Sequence, residues 1–292
     1  MHKALSKGQG LRKRLKKRLS ENTATQTVGV YNSFDIVGDI AIVKLTESSK
    51  EETKLAADAI MSCNKGVKTV LAQASKISGE YRLRDLVCIG GENKTSTVHR
   101  EHGCFFNVDL EKCFFSPRLS GERLRISRLV QPEETVVNMF SGVGCFSVII
   151  AKKVPTAKVY SIDINPHAVK FMRENIRINR VFGNVFPILG DSREIIEARF
   201  QSRADRVLMP LPEKALEYLP CAVSALKESG GWIHCHCFEH AVKTEESMEQ
   251  AHAKIAQKFK KLTVDFEVPF SRVVRPVGPN WHQVEVDVRV KG

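Results

Sequence analysis

Between Thr135 and Ser147 the chain reads Thr-Val-Val-Asn-Met-Phe-Ser-Gly-Val-Gly-Cys-Phe-Ser, an apolar strand running into a Gly-x-Gly turn and then a helix. Glycine is needed where the backbone turns tightly and lets a ligand approach with no Cβ in the way. About twenty residues further on, Ser161-Ile162-Asp163-Ile164-Asn165-Pro166 sets a carboxylate at a strand end, where it can accept both hydroxyls of an adenosine ribose. A third polar strand end, Leu189-Gly190-Asp191-Ser192, is placed to read an adenine amino group. A dinucleotide site wants a third glycine so that the helix N-terminus can meet a pyrophosphate, but position 147 is serine. A phosphate-free ligand, S-adenosylmethionine, fits better.

The elements that must position these groups follow from periodicity. Apolar runs of strand length at 135–140, 158–164, 185–190, 204–209 and 231–237 alternate with helical patterns near 146–153, 166–180, 192–201, 213–228 and 241–259. That alternation predicts βαβ units and a mostly parallel sheet wrapped by helices, an α/β Rossmann-like fold. Two last runs, 262–269 and 283–290, have no helix between them and predict an antiparallel hairpin on the sheet edge. The fourth parallel strand ends in Pro210-Leu211-Pro212, a stiff loop that should shape the acceptor pocket, while Pro212 also suits the first turn of the next helix. His234-Cys235-His236-Cys237 has metal-binding residue types, yet alternation throws the histidines to one face and the cysteines to the other. A buried strand is preferred over zinc, and no metal is expected.

Upstream, 33–43 reads as two short strands hinged at Gly38-Asp39, followed by a helix over 50–64 and strands at 69–73 and 86–89, a small α+β unit ending near Gly91. From Ser96 to Leu119 the alternation is strand-like. Lys and Arg number 45 against 33 Asp and Glu, a net charge of +12 over 292 residues. Eight of these cations precede the first acid, Glu21, with leucines at 11, 15 and 19 in the pattern of a basic amphipathic helix. A polyanionic partner is implied, because neutralising phosphates releases counterions. No run approaches the ~20 apolar residues that span a bilayer, and the basic start lacks the apolar stretch of a signal sequence, so a cytoplasmic protein is expected. The eight cysteines are scattered through apolar segments and read as reduced core residues.

Several motifs together carry a resemblance: Phe115-Ser116-Pro117-Arg118-Leu119, Glu122-Arg123, Met139-Phe140-Ser141-Gly142-Val143-Gly144, Ile162-Asp163-Ile164-Asn165-Pro166, Met209-Pro210-Leu211-Pro212, with Ser33 to Ala41 and His99 to Gly103. In this order they resemble the archaeal and eukaryotic tRNA (guanine-37-N1)-methyltransferases over about residues 30–290. The resemblance implies a class I methyltransferase domain behind a small RNA-binding domain, without the further N-terminal domain many members carry. The expected domains are a basic arm over 1–27, a small α+β RNA-binding domain over 28–92, and a linking segment with the methyltransferase domain over 93–292. The cofactor implied is S-adenosyl-L-methionine. The partner is tRNA, through guanosine 37 of its anticodon loop, with a monomer and no obligate protein partner expected.

Methylating N1 of guanine requires a base for the N1 proton and a donor for the charge that builds on O6. The resemblance maps the base onto Glu122 and the O6 contact onto Arg82. It implies a cofactor pocket of Phe114, Arg118, Asn138, Phe140, Gly142, Gly144, Asp163, Ile164, Asp191, Ser192 and Pro210. It implies tRNA contacts from Arg82, Arg84, Arg118, Pro210 and Pro212, and Arg272 and Arg275 are further candidate phosphate contacts. Read alone, Glu122 is a partner of Arg123 or Arg125 on a helix surface, and Arg82 a solvated strand residue. The chain departs from the family at Asn138, usually aspartate, at Pro210, often asparagine, and at Cys145, usually proline. The alternatives are an aminocarboxypropyltransferase or second methyl transfer in wyosine synthesis and, from another class, a catalytically inactive tRNA binder.

Overall fold

The structure, a computed structural model, describes residues 30–45 and 49–292, with side chains from Phe34 onward; the basic arm over 1–27 lies outside them. The chain divides into two compact units. One holds the described residues up to Arg100 together with Asn107–Pro117, and the other holds Glu101–Phe106 with Arg118–Gly292.

In the first unit β1 (Val30–Val37) and β2 (Ile40–Leu45) pair antiparallel through the Gly38-Asp39 turn expected from the sequence. Gly38 has φ +56°, and a Cβ there would stand 2.1 Å from Thr97 Oγ1, so only glycine fits. Helix α1 (Lys50–Cys63) opens on a reciprocal capping box between Ser49 and Glu52 and buries Ala56, Ala57 and Ile60. Strands β3 (Thr69–Gln73) and β4 (Leu86–Gly91) complete a sheet in the order β1-β2-β3-β4. The linking segment contributes a two-stranded hairpin, β5 (Ser96–Glu101) and β6 (Cys104–Asp109).

A short 3-10 turn, Pro117–Leu119, then leads into a helix the periodicity did not indicate, α2 (Ser120–Leu129). Its inward residues include Glu122 and Arg123, so an apolar stripe is missing from the sequence; Arg123 is buried, its Nη1 donating to both oxygens of Glu101 at 2.8 and 2.9 Å. The alternating pattern that follows is realised as β7 (Thr135–Asn138), α3 (Cys145–Lys153), β8 (Lys158–Asp163), α4 (Pro166–Ile178), β9 (Val185–Leu189), α5 (Ser192–Arg199), β10 (Arg206–Met209), α6 (Ala215–Ala225), β11 (Gly230–His240) and α7 (Thr244–Lys261). Pro212 does not start α6, which begins three residues later. The proline within that helix is Pro220.

The final hairpin is β12 (Phe266–Gly278) and β13 (Trp281–Lys291), giving a seven-stranded sheet in the order β12-β13-β11-β10-β7-β8-β9. Its first strand lies later and runs longer than the expected 262–269, because Pro269, Pro276 and three register shifts break the alternation that marks a strand. Order reverses between β7 and β10, and in such sheets ligands sit at the carboxyl ends of the strands beside that reversal.

The sheet has two unlike faces. On one, Val137, Met139, Val207, Met209, Ile233, Cys235, Cys237, Val284, Val286 and Val288 form a core with Ile196 of α5, Leu219 of α6 and Ile255 and Phe259 of α7. On the other, the intervening positions of β11 and β13 are His234, His236, Gln283, Glu285 and Asp287, all buried. Strand alternation makes both from one sequence: His-Cys-His-Cys on β11 lies against Gln-Val-Glu-Val-Asp on β13.

Candidate active site

At the carboxyl end of β7 the chain passes through Met139–Gly144 into α3. Neighbouring elements hold this turn: Met139 N–H donates to Leu208 O at 3.0 Å, Ser141 N–H to Ile162 O at 2.9 Å, and Asn175 of α4 donates to Val143 O at 3.0 Å. Gly142 and Gly144 have φ +56° and +89°, and a Cβ on Gly144 would stand 2.8 Å from Met172 Cγ. Ser147, where a dinucleotide site wants glycine, is buried, its Oγ receiving hydrogen bonds from Asn138 Nδ2 at 3.1 Å and Ser161 Oγ at 2.7 Å. A side chain locked into the core occupies the place where helix and pyrophosphate would close up.

Asp163 ends β8 half-buried. Its Oδ2 accepts from Gly142 N–H at 2.6 Å and its Oδ1 from Asn165 N–H at 2.9 Å, leaving lone pairs on both oxygens. Burial raises its pKa despite these two backbone donors. Asn165 and Pro166, the N-cap and first residue of α4, fix the strand end beyond it, with Ile164 half-buried between. At the end of β9, Asp191 caps α5 by accepting from Arg193 N–H at 2.7 Å, and its other oxygen accepts from Tyr218 O–H at 2.5 Å. The buried Ser192 hydroxyl donates to Met139 O. Phe140 meets Tyr218 edge to face at 5.3 Å, an apolar wall beside these polar strand ends. Pro210 is half-buried at the end of β10, and Pro212 is buried two residues on.

Asp163, Gly142, Gly144, Phe140, Ile164, Asp191, Ser192 and Pro210 are thus all placed at the carboxyl edge. Asn138 is different: it is fully buried, turned into the core toward Ser147, and its Oδ1 has no hydrogen-bond partner. Tyr218, which sequence reading missed, ties Asp191 to the helix after the proline loop. Cys145 is buried and its thiol is pushed up to about 12, which makes it inert.

Glu122 is the largest revision. Its side chain is 0% exposed, so the surface pairing read from sequence is wrong in place though right in partner. Arg125 donates to one oxygen at 2.8 Å and Arg272 of β12 to the other. Burial opposes ionisation, but the Arg125 hydrogen bond, with the charges of Arg125 and Arg272, outweighs it and holds the carboxyl below the ordinary range. Arg125 is itself anchored by both Asp287 oxygens, at 2.6 and 2.9 Å, and lies 4.7 Å over the Phe270 ring.

Behind this pair the cross-strand partners of β11 and β13 meet directly. His234 Nδ1 is 2.5 Å from Asp287 Oδ1, and Arg206 donates to its Nε2 at 2.6 Å, so the ring is neutral with its proton on Nδ1. Burial lowers its pKa in agreement. His236 Nε2 lies 2.6 Å from Glu285 Oε2. Gln283 Oε1 accepts from Arg275 at 2.8 Å, so its amide nitrogen must donate to His236 Nδ1, 3.0 Å away, and the His236 proton sits on Nε2. Burial pushes Glu285 up to about 7. Glu122, His236 and Glu285 bring their polar atoms within 4.8 Å of one another, as a metal site would, but Arg125 and Arg272 already supply the positive charge their carboxylates need. Register puts this cluster level with the carboxyl edge: Met209 pairs with Cys235, so His236 stands beside Pro210.

The remaining candidates are placed as follows. Arg118 is exposed, in the turn before α2. Arg82 and Arg84 lie in the first unit, half-buried; Arg82 has φ +56° and its guanidinium sits 4.3 Å over the Phe114 ring. The solvated strand residue read from sequence is therefore a turn residue stacked on an aromatic. Phe115 packs edge to face on His99 at 5.0 Å. Arg272 and Arg275, read as phosphate contacts, are engaged with Glu122 and Gln283.

Residues 97–266 match the model of the TRM5/TYW2 methyltransferase domain, and residues 11–95 that of the TYW2 N-terminal domain. The chain belongs to the TRM5/TYW2 methyltransferase family. Among its relatives, the tRNA (guanine(37)-N(1))-methyltransferase Trm5b of Pyrococcus abyssi is 43% identical over 258 residues, covering 88% of this chain and 74% of that protein. The tRNA 4-demethylwyosine(37)-methyltransferase Taw21 of Saccharolobus solfataricus is 35% identical over 262 residues, 89% of this chain and 94% of that one. The structure of Methanocaldococcus jannaschii Trm5 in complex with adenosine superposes with a TM-score of 0.76 at 31% identity, covering 96% of this chain and 79% of the other. These TRM5/TYW2 likenesses agree with the observed α/β fold and its small N-terminal unit.

Proposed function

We propose that this protein transfers a methyl group from S-adenosylmethionine to N1 of guanosine 37 in the tRNA anticodon loop. The donor set at the carboxyl edge fits the cofactor. Asp163 keeps free lone pairs on both oxygens for a ribose diol, two positive-φ glycines bring bare backbone to the crevice, and Phe140 and Tyr218 offer an apolar wall for a purine. When bound, S-adenosylmethionine supplies a methyl group made electrophilic by its sulfonium. The chain's own part is to hold the donor by Asp163, keep the turn rigid, and take a proton from the acceptor.

The observation that carries the N1 assignment is the ionised carboxylate of Glu122, held between two guanidinium groups. A carboxylate below its ordinary range is a weak base toward a resting guanine. A donor at O6 meets that difficulty: it holds the charge that builds there, so the N1 proton becomes acidic enough for Glu122 to take as the N1–methyl bond forms. The resemblance implies Arg82 as a donor to O6, and the basic excess of the chain favours a polyanionic substrate.

A second reading, methyl transfer to 4-demethylwyosine at the same position, draws support from the 35% identity to Taw21. The deciding experiment incubates the purified protein with labelled S-adenosylmethionine and tRNA transcripts bearing G37 or A37, or tRNA carrying 4-demethylwyosine, followed by nucleoside mass analysis. One methyl on N1 of guanosine is expected with the G37 transcript and none with A37. Gain of an aminocarboxypropyl arm, or methylation confined to demethylwyosine, overturns the assignment.

A further inference from the structure

Two guanidinium groups meet at Glu122, and they are not held alike. Arg125 is pinned by Asp287, Glu285, Glu122 and the Phe270 ring, and only 19% of its side chain is exposed. Arg272 stands on the edge strand, is 35% exposed, and Glu122 is its single ion-pair partner among the described residues. Its buried Nε–H has no hydrogen-bond partner. Arg272 is thus the movable cation between the buried carboxylate and solvent.

The order of donors and acceptors matters. The Watson–Crick edge of guanine sets an acceptor, O6, beside a donor, N1–H; adenine sets a donor, its amino group, beside an acceptor, N1. A carboxylate with a guanidinium beside it offers acceptor next to donor, which matches guanine and opposes adenine. Both Glu122 and Arg272 belong to the second unit and already touch. When N1 gives up its proton the electrons pass onto O6, so a cation there binds more tightly in the transition state than in the ground state.

We propose that Arg272 is a specificity-determining and catalytic residue, which moves off Glu122 when the base enters and donates to guanine O6 while Glu122 takes the N1 proton. This rests on the N1-methylation reading above. O6 has two lone pairs, so a second donor is compatible.

The test is a cycle on enzyme and substrate: single-turnover methyl transfer by wild type and Arg272→Met, on tRNA with guanosine or 6-thioguanosine at position 37, whose sulfur is a poor acceptor. On guanosine the substitution is expected to slow transfer by roughly 10²–10³-fold, with tRNA affinity changed less than about threefold. On 6-thioguanosine it should cost less than about fivefold, since the bond is already lost there. Arg272→Lys, which keeps the charge without the planar fork, serves where the methionine variant fails to fold and should show the same selectivity at about tenfold. Equal losses on both bases, or no loss on guanosine, overturn the proposal. Wild type that leaves no methyl on N1 instead overturns the functional reading, and this inference with it.

Discussion

The two faces of the seven-stranded sheet are built from the same strands and solve opposite problems. On the Cys235, Cys237, Val284 and Val286 face, burial alone is stabilising and neighbours are interchangeable in kind. On the His234, His236, Glu285 and Asp287 face the buried carboxylates depend on particular partners: Asp287 on Arg125 and His234, Glu285 on His236 and Arg125, Glu122 on Arg125 and Arg272. Loss of a partner there strands a charge in a dry environment. The apolar face can tolerate substitution, whereas the polar face is organised around the carboxylate proposed above to take up a proton.

That contrast can be broken in several ways. Glu122→Gln keeps the shape and an acceptor for one of the two guanidinium groups but cannot take up a proton as a base, so methyl transfer should fall by about 10³-fold while tRNA and cofactor still bind. Unchanged turnover would remove Glu122 from the mechanism. Asp287→Ala leaves Arg125 and His234 facing a void and should cost about 3–5 kcal/mol in urea unfolding. Met209→Ala on the apolar face should cost about 2–4 kcal/mol without changing the pH dependence of stability. If Asp287→Ala proves the milder of the two, the polar face is not the specified one. Asp163→Ala removes the carboxylate proposed to hold the ribose and should weaken cofactor binding about 10²-fold by calorimetry, while the freed Gly142 and Asn165 N–H groups should cost about 1 kcal/mol of stability.

The smallest effect is the one that reports on protonation. Glu285 is raised from 4.5 to about 7 in the folded state, so between those values the folded chain holds a proton that the unfolded chain has released. Its contribution to stability is complete below about pH 4.5 and is lost as pH rises through about 7. A glutamine does not titrate. Glu285→Gln should therefore gain on wild type by about 1–3 kcal/mol between pH 5 and pH 8, read from urea unfolding at both values. A difference that stays flat with pH contradicts a shared proton in this cluster.

The apolar face and the crevice were legible in the sequence, and the polar face was not, for a physical reason. Strand, glycine turn and Asp163 follow one another within about thirty residues, so local spacing reveals them. His234 and His236 were recognisable as one face of a strand, but their carboxylate partners lie some fifty residues away, and only the pairing of β11 with β13 joins them. Alternation in Gln283-Val284-Glu285-Val286-Asp287 carried the signal, had it been set against His-Cys-His-Cys. Glu122 was read on a helix surface, but the bounds and burial of α2 were missed because its buried side includes Glu122 and Arg123, while periodicity detects apolar stripes. The left-handed backbone of Arg82 has no signature at all.

Strand β12 closes one side of the sheet with two prolines and three register shifts. Val274 is the extra residue between Val273, opposite Val284, and Arg275, opposite Gln283, which is why arginines three apart serve one face. The same irregularity leaves few evenly spaced amide groups for a neighbouring molecule to zip onto. Straightening this border, by deleting Val274 and replacing both prolines with valine, would keep Arg272 and Arg275 on one face, now two positions apart, but would create a sticky rim prone to intermolecular strand addition. Colloidal stability is thus secured by one crooked stretch of backbone.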